Sequence, residues 1–274
     1  MSVAGGAGAP VPGAWAAELA FAHELADLAD ALTLPAWRSR RDRTTDVDVK
    51  DDGTWVTSTD RGVESAIRAA IAERFPEHAV LGEEEGLVGD PEAPRWIVDP
   101  IDGTSNFVKG NPIFATLIAL RVGGDDVVGV VSAPGLGTRF DGVVGVGAHQ
   151  DGRPVRVSEV DDLADAEVAF GGLSHFAERG LLGAVERAAT RTRRQRGYGD
   201  FWAHCLVAAG STEVAVEAAV STWDLAAVRA VVTAAGGRFT DLDGVESADN
   251  GSALSSNGRL HGAALALVHG RPHG

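Results

Sequence analysis

The sequence predicts an α/β fold in which two β-sheets share helices. Strand-length runs rich in Val and Ile recur in the first half of the chain, and amphipathic helical patterns precede them. In the second half, helical and strand-like segments alternate. With 274 residues the chain can bury a large core, as one large domain or as two smaller ones. We expect a flexible tail over 1–13, an N-terminal α+β subdomain over 14–150 and a C-terminal α/β subdomain over 151–274.

Two helices and a group of strands account for the first half. Residues 14–33 place apolar side chains at helical spacing, which predicts an amphipathic helix with Trp15, Leu19, Leu25, Leu28 and Leu32 on its apolar face. Residues 63–76 predict a second helix that ends at Pro76, before a short strand and three glutamates. We expect one sheet from three runs of strand length that Gly and Pro separate: 95–100, 114–122 and 126–134.

The second half is predicted to form a second sheet and the helices around it. Strand character is present at 152–159, 166–172 and 212–218, in a hairpin at 238–244 and at 253–258. Helices are expected at 177–191, 200–210, 223–237 and the C-terminus, the third of them capped by Gly236 and Gly237.

Composition excludes several classes of protein and site. No stretch approaches the ~20 apolar residues of a membrane helix. The Gly-, Ala- and Pro-rich start lacks the basic segment of a signal peptide, so we expect a cytoplasmic protein. The formal net charge of −15, from 39 acidic and 24 basic residues, would repel a nucleic-acid backbone. Cys205, the single cysteine, excludes an internal disulfide, and its apolar neighbours predict a buried, unreactive thiol.

Five acidic side chains stand at the ends of predicted strands or at the start of a helix. Glu83 and Glu84 end one strand, Asp99 and Asp102 end another, and Asp224 opens a helix after a third. If the sheet brings these ends together, carboxylates ~4 to 5 Å apart repel by ~3 to 4 kcal/mol per pair at an effective dielectric constant of about 20. Such a cluster needs cations. Oxygen ligands without His or Cys favour hard ions, Mg²⁺ foremost and Mn²⁺ or Ca²⁺ next.

The stretch from Asp99 to Thr104 combines features of a metal site and of a phosphate site. A proline-stiffened turn can place the carboxylates of Asp99 and Asp102 on one side, with the Ile101 carbonyl as a further ligand. Gly103 lets the backbone approach an anion, and the amides of Gly103 and Thr104 could receive a phosphate at the start of a short helix. The Thr104 hydroxyl could hold an attacking water.

These acidic motifs allow other interpretations. A polar turn that caps a helix is the structural alternative for residues 99–104. Two residues separate Asp99 from Asp102, which excludes the D-x-D motif of phosphatases with an aspartyl nucleophile. Neither this stretch nor residues 240–247 has the ligand spacing of an EF-hand, so Asp241 and Asp243 are interpreted as turn residues.

Three ordered motifs resemble the inositol monophosphatase-like family of Mg²⁺-dependent phosphatases. They are Gly82-Glu83-Glu84, Asp99 to Phe107, and Trp223-Asp224 through Ala235-Gly236-Gly237, and the resemblance extends from about Lys50 to the C-terminus. It implies a layered α-β-α-β-α sandwich of the inositol monophosphatase or fructose bisphosphatase type. It also implies in-line attack of a metal-activated water on a phosphate monoester, without a phosphoenzyme. Two or three Mg²⁺ ions, replaceable by Mn²⁺, and a homodimer belong to the same expectation.

The resemblance assigns roles to individual residues. The implied metal ligands are Glu83, Asp99, Ile101 through its carbonyl, Asp102 and Asp224. Thr104 and Glu83 would orient the nucleophilic water, and Asp60 would hydrogen-bond to Thr104. Glu84 would support the ligands from a second shell. Lys109, where many relatives have histidine, and Glu85, where they have a small residue, are departures outside the metal set.

Substrate choice is predicted to depend on the second half. In the family, the residue seven positions before the Trp-Asp aspartate contacts the leaving group, and here it is Glu217. The segment "RGYGDFW" at 196–202 would line the pocket, and its "GDFW" is similar to the histidinol-phosphatase branch. Asp200 and Glu217 would suit an amine and an imidazole, although Asp200 could also be a helix N-cap. The implied substrate-binding residues are Asp102, Gly103, Thr104, Arg196, Asp200 and Glu217.

The resemblance therefore predicts a Mg²⁺-dependent enzyme that hydrolyses L-histidinol phosphate in histidine biosynthesis. An inositol-1-monophosphatase or a broad sugar phosphatase is the alternative enzyme, and a non-catalytic metal or anion sensor is the alternative from another class. The arginine run 191–196 is interpreted as a solvated face, although Arg196 could reach the substrate. His204 is interpreted as a structural histidine, and Tyr198, Trp202 and Trp223 as packing residues.

Overall fold

The first half of the chain forms helices against one face of a large sheet. The computed structural model describes residues 13, 15–39, 47–49 and 55–271. Apart from Gly13, the predicted tail lies outside these residues, as does Lys50. The first-half elements are α1 (Ala16–Ser39), β1 (Val47–Val49), β2 (Trp55–Thr57), α2 (Ser58–Arg74), β3 (Ala79–Gly82), β4 (Gly86–Val88), β5 (Arg95–Asp102), α3 (Thr104–Lys109), β6 (Ala115–Val122), β7 (Asp125–Ala133), β8 (Thr138–Val143), β9 (Gly147–Gln150) and β10 (Arg153–Val155).

Both N-terminal helices are longer than the sequence predicts. α1 continues to Ser39, past the predicted end at residue 33, and includes Pro35. α2 begins at Ser58 because Thr57 and Asp60 form a capping box, in which each side chain binds the other's backbone amide. The capping residues precede the apolar periodicity, and the prediction placed the start of the helix later for that reason.

The first sheet has eight strands in the order β10-β9-β8-β7-β6-β5-β3-β4. β3 and β5 are parallel, and the other neighbouring pairs are antiparallel. The three strand-length runs of the first half correspond to β5, β6 and β7, which are adjacent as expected. β1 and β2 form a separate antiparallel pair.

The second half builds a five-stranded sheet in the order β12-β11-β13-β15-β14. β11 is parallel to β12 and β13, and β15 is antiparallel to β13 and β14. A short 3₁₀ helix, Leu163–Asp165, precedes the sheet. The elements are β11 (Glu167–Phe170), α4 (Leu173–Glu178), α5 (Leu182–Arg191), β12 (Arg194–Arg196), α6 (Asp200–Ala208), β13 (Val214–Glu217), α7 (Thr222–Ala234), β14 (Arg238–Thr240), β15 (Ala253–Ser256) and α8 (His261–His269).

Two local predictions for the second half were wrong. The single helix expected at 177–191 is divided into α4 and α5, because Gly180 adopts a φ of 67° between them. The strand predicted to turn within 238–244 ends at Thr240, and its partner β15 starts at Ala253, so the connection is longer than a tight hairpin. The Asp241 carboxylate accepts hydrogen bonds from the amides of Asp243 and Val245, which makes it a turn residue as predicted.

The elements stack as five layers of helix, sheet, helix, sheet and helix. α1 and α2 pack on one face of the first sheet, in a core that includes Leu25, Ile67 and Trp96. α6 and α7 lie between the two sheets and share a core with both, and α5 and α8 cover the outer face of the second sheet. The layered sandwich that the resemblance implied is therefore confirmed.

Close backbone contact fixes α7 against the first sheet. A Cβ atom on Gly129 of β7 would overlap the Ala227 carbonyl, and one on Gly142 of β8 would lie 2.9 Å from Val231 Cα. Any larger residue at these glycines would push α7 away from the sheet. Since Asp224 lies in the first turn of α7, these contacts set its height above the sheet.

The division of the chain at residue 150 stays a prediction. Residue 150 is the last residue of β9, and β10 pairs antiparallel with β9 in the first sheet. The second sheet starts at Glu167. Within the described part of the chain, no helix combines the length and the apolar character needed to cross a membrane.

Candidate active site

Three carboxylates from two elements converge between the sheets. Asp99, Asp102 and Asp224 each offer a carboxylate oxygen, and these oxygens all lie within 4.8 Å of one another. Asp99 is 1% exposed and Asp102 is 7% exposed, so the cluster is largely removed from solvent. The structure thus brings together three of the five predicted metal-binding residues at one point.

A bulge at the end of β5 brings Asp99 and Asp102 to the same side. The pairing with β6 shifts register between Asp99 and Asp102, so that the alternation of side chains is interrupted there. Thr116 of β6 donates its hydroxyl to the Pro100 carbonyl at 2.8 Å and holds the bulge. Asp99 Oδ1 accepts the Ile101 amide at 2.9 Å. β5 therefore extends to Asp102, beyond the predicted strand 95–100.

Backbone amides fix the other two carboxylates. Asp102 Oδ2 accepts the Phe201 amide at 2.7 Å, at the start of α6. Asp224 Oδ2 accepts the Ser221 amide at 2.7 Å in the capping box of α7. A carboxylate is favoured at a helix N-terminus, where unpaired N–H groups carry partial positive charge. Each of these acids therefore has one carboxylate oxygen held by a backbone amide at the start of a helix.

Glu83 lies in the turn between β3 and β4, beside the end of β5. Its amide donates to the Val98 carbonyl at 3.3 Å, which places the turn beside the end of β5. Burial is the largest cause of the raised pKa of Asp60, Asp99 and Asp224, and the Glu83 charge adds to the shift in each case. Glu83 and Glu84 are both partly buried.

Burial raises the pKa of the carboxyl groups in the cluster. For Asp99 the charges of Glu83 and Asp102 add to burial, and for Asp102 the charges of Asp200 and Asp224 add to it. Burial also raises the pKa of Asp224 to about 7, although the Ser221 amide opposes the shift. The carboxyls lie close enough to disfavour one another's ionisation, and a bound cation would relieve that repulsion.

Thr104 lies beside the cluster with two possible acceptors for its hydroxyl. Its Oγ1 is 2.9 Å from the Ile101 carbonyl oxygen and 3.5 Å from Asp60 Oδ1. Asp60 is held by the amide and hydroxyl of Thr57, and burial raises its pKa. Gly103, with a φ of 76°, precedes α3, and a Cβ there would approach the Ile113 carbonyl to 3.0 Å.

A second acidic pair borders the cluster on the side of the second sheet. Glu217, 4% exposed, ends β13, and its carboxylate packs against Gly171, where a Cβ atom would overlap it. Glu217 Oε1 is buried and has no hydrogen-bond partner among the residues that the structure describes. Burial, followed by the charges of Asp200 and Asp224, raises the pKa of Glu217 to about 8. Asp200 Oδ2 accepts the Asn106 amide at 3.4 Å.

The N-cap interpretation of Asp200 was wrong. Gly199 is the N-cap of α6, and Asp200 is the first helical residue, with a φ of 51° that is rare for a residue other than glycine. The side chain that binds the first turn of α6 belongs to Asp102. Asp200 is therefore directed toward Asn106 in a strained backbone conformation, which marks a functional position more often than a structural one.

The remaining sequence predictions concern residues outside the acidic cluster. Arg196 is exposed on the edge strand β12, where it donates to the Gln195 carbonyl, and its role in substrate binding stays a prediction. His204 is buried with Nδ1 2.7 Å from the Ser255 hydroxyl, and burial lowers its pKa to about 4, as expected for a structural histidine. Trp202 packs edge-on against Phe140. Cys205 is buried and free, as predicted.

Sequence reasoning missed three side chains beside this site. Glu64 on α2 binds the amides of the turn after Glu83, Asn106 on α3 donates to Asp200, and His175 on α4 lies near enough to Asp200 to lower its pKa, against the larger raising effect of burial. Glu64 gave a signal that could have been used, because it interrupts the apolar face formed by Val63 and Ile67.

The cluster fits a hard divalent cation. Its three closest ligands are carboxylates, without His or Cys among them, and they lie within the span that one or two cations can bridge. Burial and the neighbouring acids raise the pKa of all three carboxyls, so a bound cation would favour their ionised forms.

Comparisons with known proteins agree with this geometry. Residues 15–273 match the model of the Inositol monophosphatase family. A protein of Mycobacterium tuberculosis named histidinol-phosphatase is 46% identical over 92% of this chain and 98% of its own, and one of Streptomyces coelicolor with the same name is 41% identical over 93% and 97%. The solved structure of an IMPase from Thermotoga maritima has a TM-score of 0.83 at 32% identity, covering 93% of this chain and 97% of that one. With its fold, its acidic cluster and these relatives, the chain belongs to the inositol monophosphatase family of metal-dependent phosphoric monoester hydrolases.

Proposed function

We propose that this protein hydrolyses L-histidinol phosphate to L-histidinol and phosphate, with Mg²⁺ as its cofactor. The observation that carries the proposal is the acidic pair, Asp200 and Glu217, which places two further carboxyl groups beside the metal cluster on the side of the second sheet. Histidinol phosphate brings an amine and an imidazole on its leaving group, and both can be cationic. The names of the relatives from M. tuberculosis and S. coelicolor support the same substrate.

The buried carboxyl of Glu217 favours a cationic leaving group over a neutral polyol. Burial raises the pKa of Glu217 to about 8, so loss of its proton is unfavourable unless a cation lies nearby. A nearby ammonium or imidazolium would stabilise the carboxylate and lower this pKa. A sugar hydroxyl offers no such stabilisation, so the pocket would favour a cationic leaving group over the neutral leaving group of inositol phosphates.

The reaction would use residues at the end of β5. Glu83, Asp99, Asp102, Asp224 and the Ile101 carbonyl would hold the metal ions, with Glu84 supporting the turn. Bound Mg²⁺ would supply Lewis-acid stabilisation of the phosphoryl oxygens and a lower pKa for the attacking water. The Thr104 hydroxyl, donating to Asp60, would accept a hydrogen bond from that water and orient it together with Glu83. The backbone at Gly103 and Thr104 would contact the phosphate.

A comparison of three substrates tests the proposal. Purified protein with Mg²⁺ is offered L-histidinol phosphate, myo-inositol 1-phosphate and fructose 1,6-bisphosphate, and phosphate release is compared as kcat/KM. We expect the first substrate to exceed the others by at least about 100-fold, equivalent to about 2.7 kcal/mol. Equal values for the first two would contradict the assignment of substrate, and no release from any would favour a metal or anion sensor.

A substitution at the acidic pair separates recognition from chemistry. Asp200→Ala is expected to reduce kcat/KM for histidinol phosphate by about 10-fold or more, and to leave hydrolysis of an aryl phosphate within about 2-fold. Asp161→Ala, which removes an exposed aspartate before the second sheet, is the control for the loss of charge. Equal losses on both substrates would assign Asp200 a structural role.

Replacement of Mg²⁺ by Mn²⁺, a homodimeric assembly and a cytoplasmic location complete the proposal. Light scattering coupled to size-exclusion chromatography measures the assembly directly, and a monomer at micromolar concentration would contradict that part.

A further inference from the structure

A buried ion pair on α2 lies directly behind the turn that carries Glu83. The Glu64 side chain has no exposed area, and Arg68, one helical turn later, is 12% exposed. Arg68 Nε donates to Glu64 Oε1 at 2.8 Å. Charged side chains are rarely buried so completely unless every polar atom has a partner. The hydrogen-bond partners of Glu64 and Arg68 therefore show which part of the backbone the pair holds in place.

The pair binds both strands of the β3–β4 hairpin and the turn between them. Glu64 Oε2 accepts the Glu84 amide at 2.7 Å, and Glu64 Oε1 accepts the Glu85 amide at 3.0 Å. Arg68 donates to the Val80 carbonyl of β3 at 3.4 Å and to the Gly86 carbonyl of β4. The anionic group of Glu64 and the cationic group of Arg68 thus bind backbone groups on both sides of Glu83.

Gly82 allows the carboxylate to come this close. A Cβ atom at Gly82 would overlap the carboxylate of Glu64. Gly82 is also the last residue of β3 and directly precedes Glu83. The absence of a side chain at this position is therefore what allows a side chain from α2 to reach the amides of the turn.

We propose that Glu64 is a positioning residue, which holds the β3–β4 turn so that the Glu83 carboxylate reaches the metal cluster. This rests on the proposed role of Glu83 as a metal ligand. Two charge-assisted hydrogen bonds to consecutive amides fix the backbone orientation that a packed apolar residue would leave free. A buried ion pair is weak evidence for stability alone, because apolar replacements of equal volume are often as stable. Its effect should accordingly appear in metal affinity.

The test compares Mn²⁺ binding by the full-length protein and four variants, measured by electron paramagnetic resonance without substrate. Glu64→Gln keeps the volume but places an amide NH₂ against the backbone N–H groups. Glu73→Gln, exposed on the same helix, is the charge-matched control. Ile71→Val, in the core of that helix, is the control for lost stability. Glu83→Gln is the reference for loss of the ligand itself.

We expect Glu64→Gln to weaken Mn²⁺ binding by about 10- to 100-fold, as for other residues that orient metal ligands. Glu73→Gln and Ile71→Val should remain within about 2-fold of the unaltered protein. A change in Glu64→Gln no larger than in Ile71→Val would overturn the positioning role. If Glu83→Gln binds Mn²⁺ as the unaltered protein does, the proposed role of Glu83 fails and this inference fails with it.

A second variant keeps the proposal testable if Glu64→Gln folds poorly. Gly82→Ala leaves Glu64 and Arg68 intact but displaces the carboxylate from the turn, so it should weaken Mn²⁺ binding in the same way. In Glu64→Ala/Gly82→Ala the methyl group has room, and the double variant should bind no more weakly than Glu64→Ala alone. Additive losses would mean that the two positions act independently, against the proposal.

Discussion

Two groups of acidic side chains in this protein have opposite surroundings. In the candidate site, Asp99, Asp102 and Asp224 face one another. The second group is an arginine network of Arg121, Asp126, Arg229 and Asp249. There, Arg121 donates to Asp126 and makes two bonds of 2.9 Å to Asp249, and Arg229 donates to Asp126 at 2.8 Å.

The two groups show that aspartate has two different roles in this protein, in an ion-pair network and in a cation site. Partial burial alone would raise the pKa of Asp249, but hydrogen bonds and charge from Arg121 outweigh it and hold the pKa below its ordinary value. Burial and like charges raise the pKa of Asp99. The arginine network supplies its own cations and joins β6, β7 and α7, whereas the cluster depends on cations from solution.

The largest expected effect comes from a change within the cluster. Asp224→Asn keeps an acceptor for the Ser221 amide but removes one charge from the proposed metal site. Mutation of residues that only orient metal ligands reduces metal affinity or activity by about 10- to 100-fold. Loss of a ligand itself should therefore reduce kcat by more than about 100-fold. Phosphate release at saturating Mg²⁺ measures this. An activity within 10-fold of the unaltered protein would remove Asp224 from the metal site.

A change in the arginine network should reduce stability and leave metal binding nearly unchanged. Asp126→Ala leaves the buried cations Arg121 and Arg229 with fewer partners, and should lower the free energy of unfolding by about 3 kcal/mol. Urea unfolding of the metal-free protein measures the loss. Mn²⁺ affinity should stay within about 3-fold, and a loss of affinity without a loss of stability would show that the two groups are not separate.

The stability of the metal-free protein should depend on pH through the unpaired acids. Asp224 and Glu217 have pKa values of about 7 and about 8, raised from 3.8 and 4.5 by burial. Between those values the folded state retains protons that the unfolded state has released, so stability falls as pH rises. The Tm without metal should decrease from about pH 5 to about pH 8.

Added Mg²⁺ sharpens this prediction. Ligands bind the ion as carboxylates, so Mg²⁺ should raise the Tm more at about pH 8 than at about pH 5. Thermal unfolding followed by circular dichroism, with and without Mg²⁺, measures both trends. A metal-free Tm that is constant or rises over this range would contradict the account of the cluster.

The smallest effect is expected where an ion pair is exposed. Asp48 and Arg61 form a 3.0 Å pair whose side chains are 66% and 55% exposed. Solvent screens such a pair, so Asp48→Asn should change the free energy of unfolding by less than about 0.5 kcal/mol. A loss near that of Asp126→Ala, measured by the same urea titration, would show that burial is not what distinguishes the groups.

The sequence predicted the main helices and the central strands because their apolar periodicity is strong. β5, β6 and β7 have Val- and Ile-rich runs, and α7 ends at the expected glycines. The structure adds strands without such a signal. β12 lies in the arginine run 191–196, where pairing with β11 in the second sheet overrides the polar composition. The break between α4 and α5 depends on the conformation of one glycine, which helical periodicity does not report.

The acidic ligands were predictable because each follows a strand or opens a helix in a recognisable motif. What the sequence could not supply was the pairing between distant segments. The bond from Phe201 to Asp102 joins residues 99 positions apart, and Glu64 reaches the turn 20 residues later through space. Asp200 was predicted to bind substrate, but its strained φ and its contact with Asn106 depend on tertiary structure.

Crystals of the protein soaked in MnCl₂, with diffraction recorded above the manganese absorption edge, test the central claim most directly. We predict an anomalous difference peak among the carboxylates of Asp99, Asp102 and Asp224, and none in the arginine network. Anomalous peaks for Mn²⁺ at other sites, with no peak at these three carboxylates, would contradict the account.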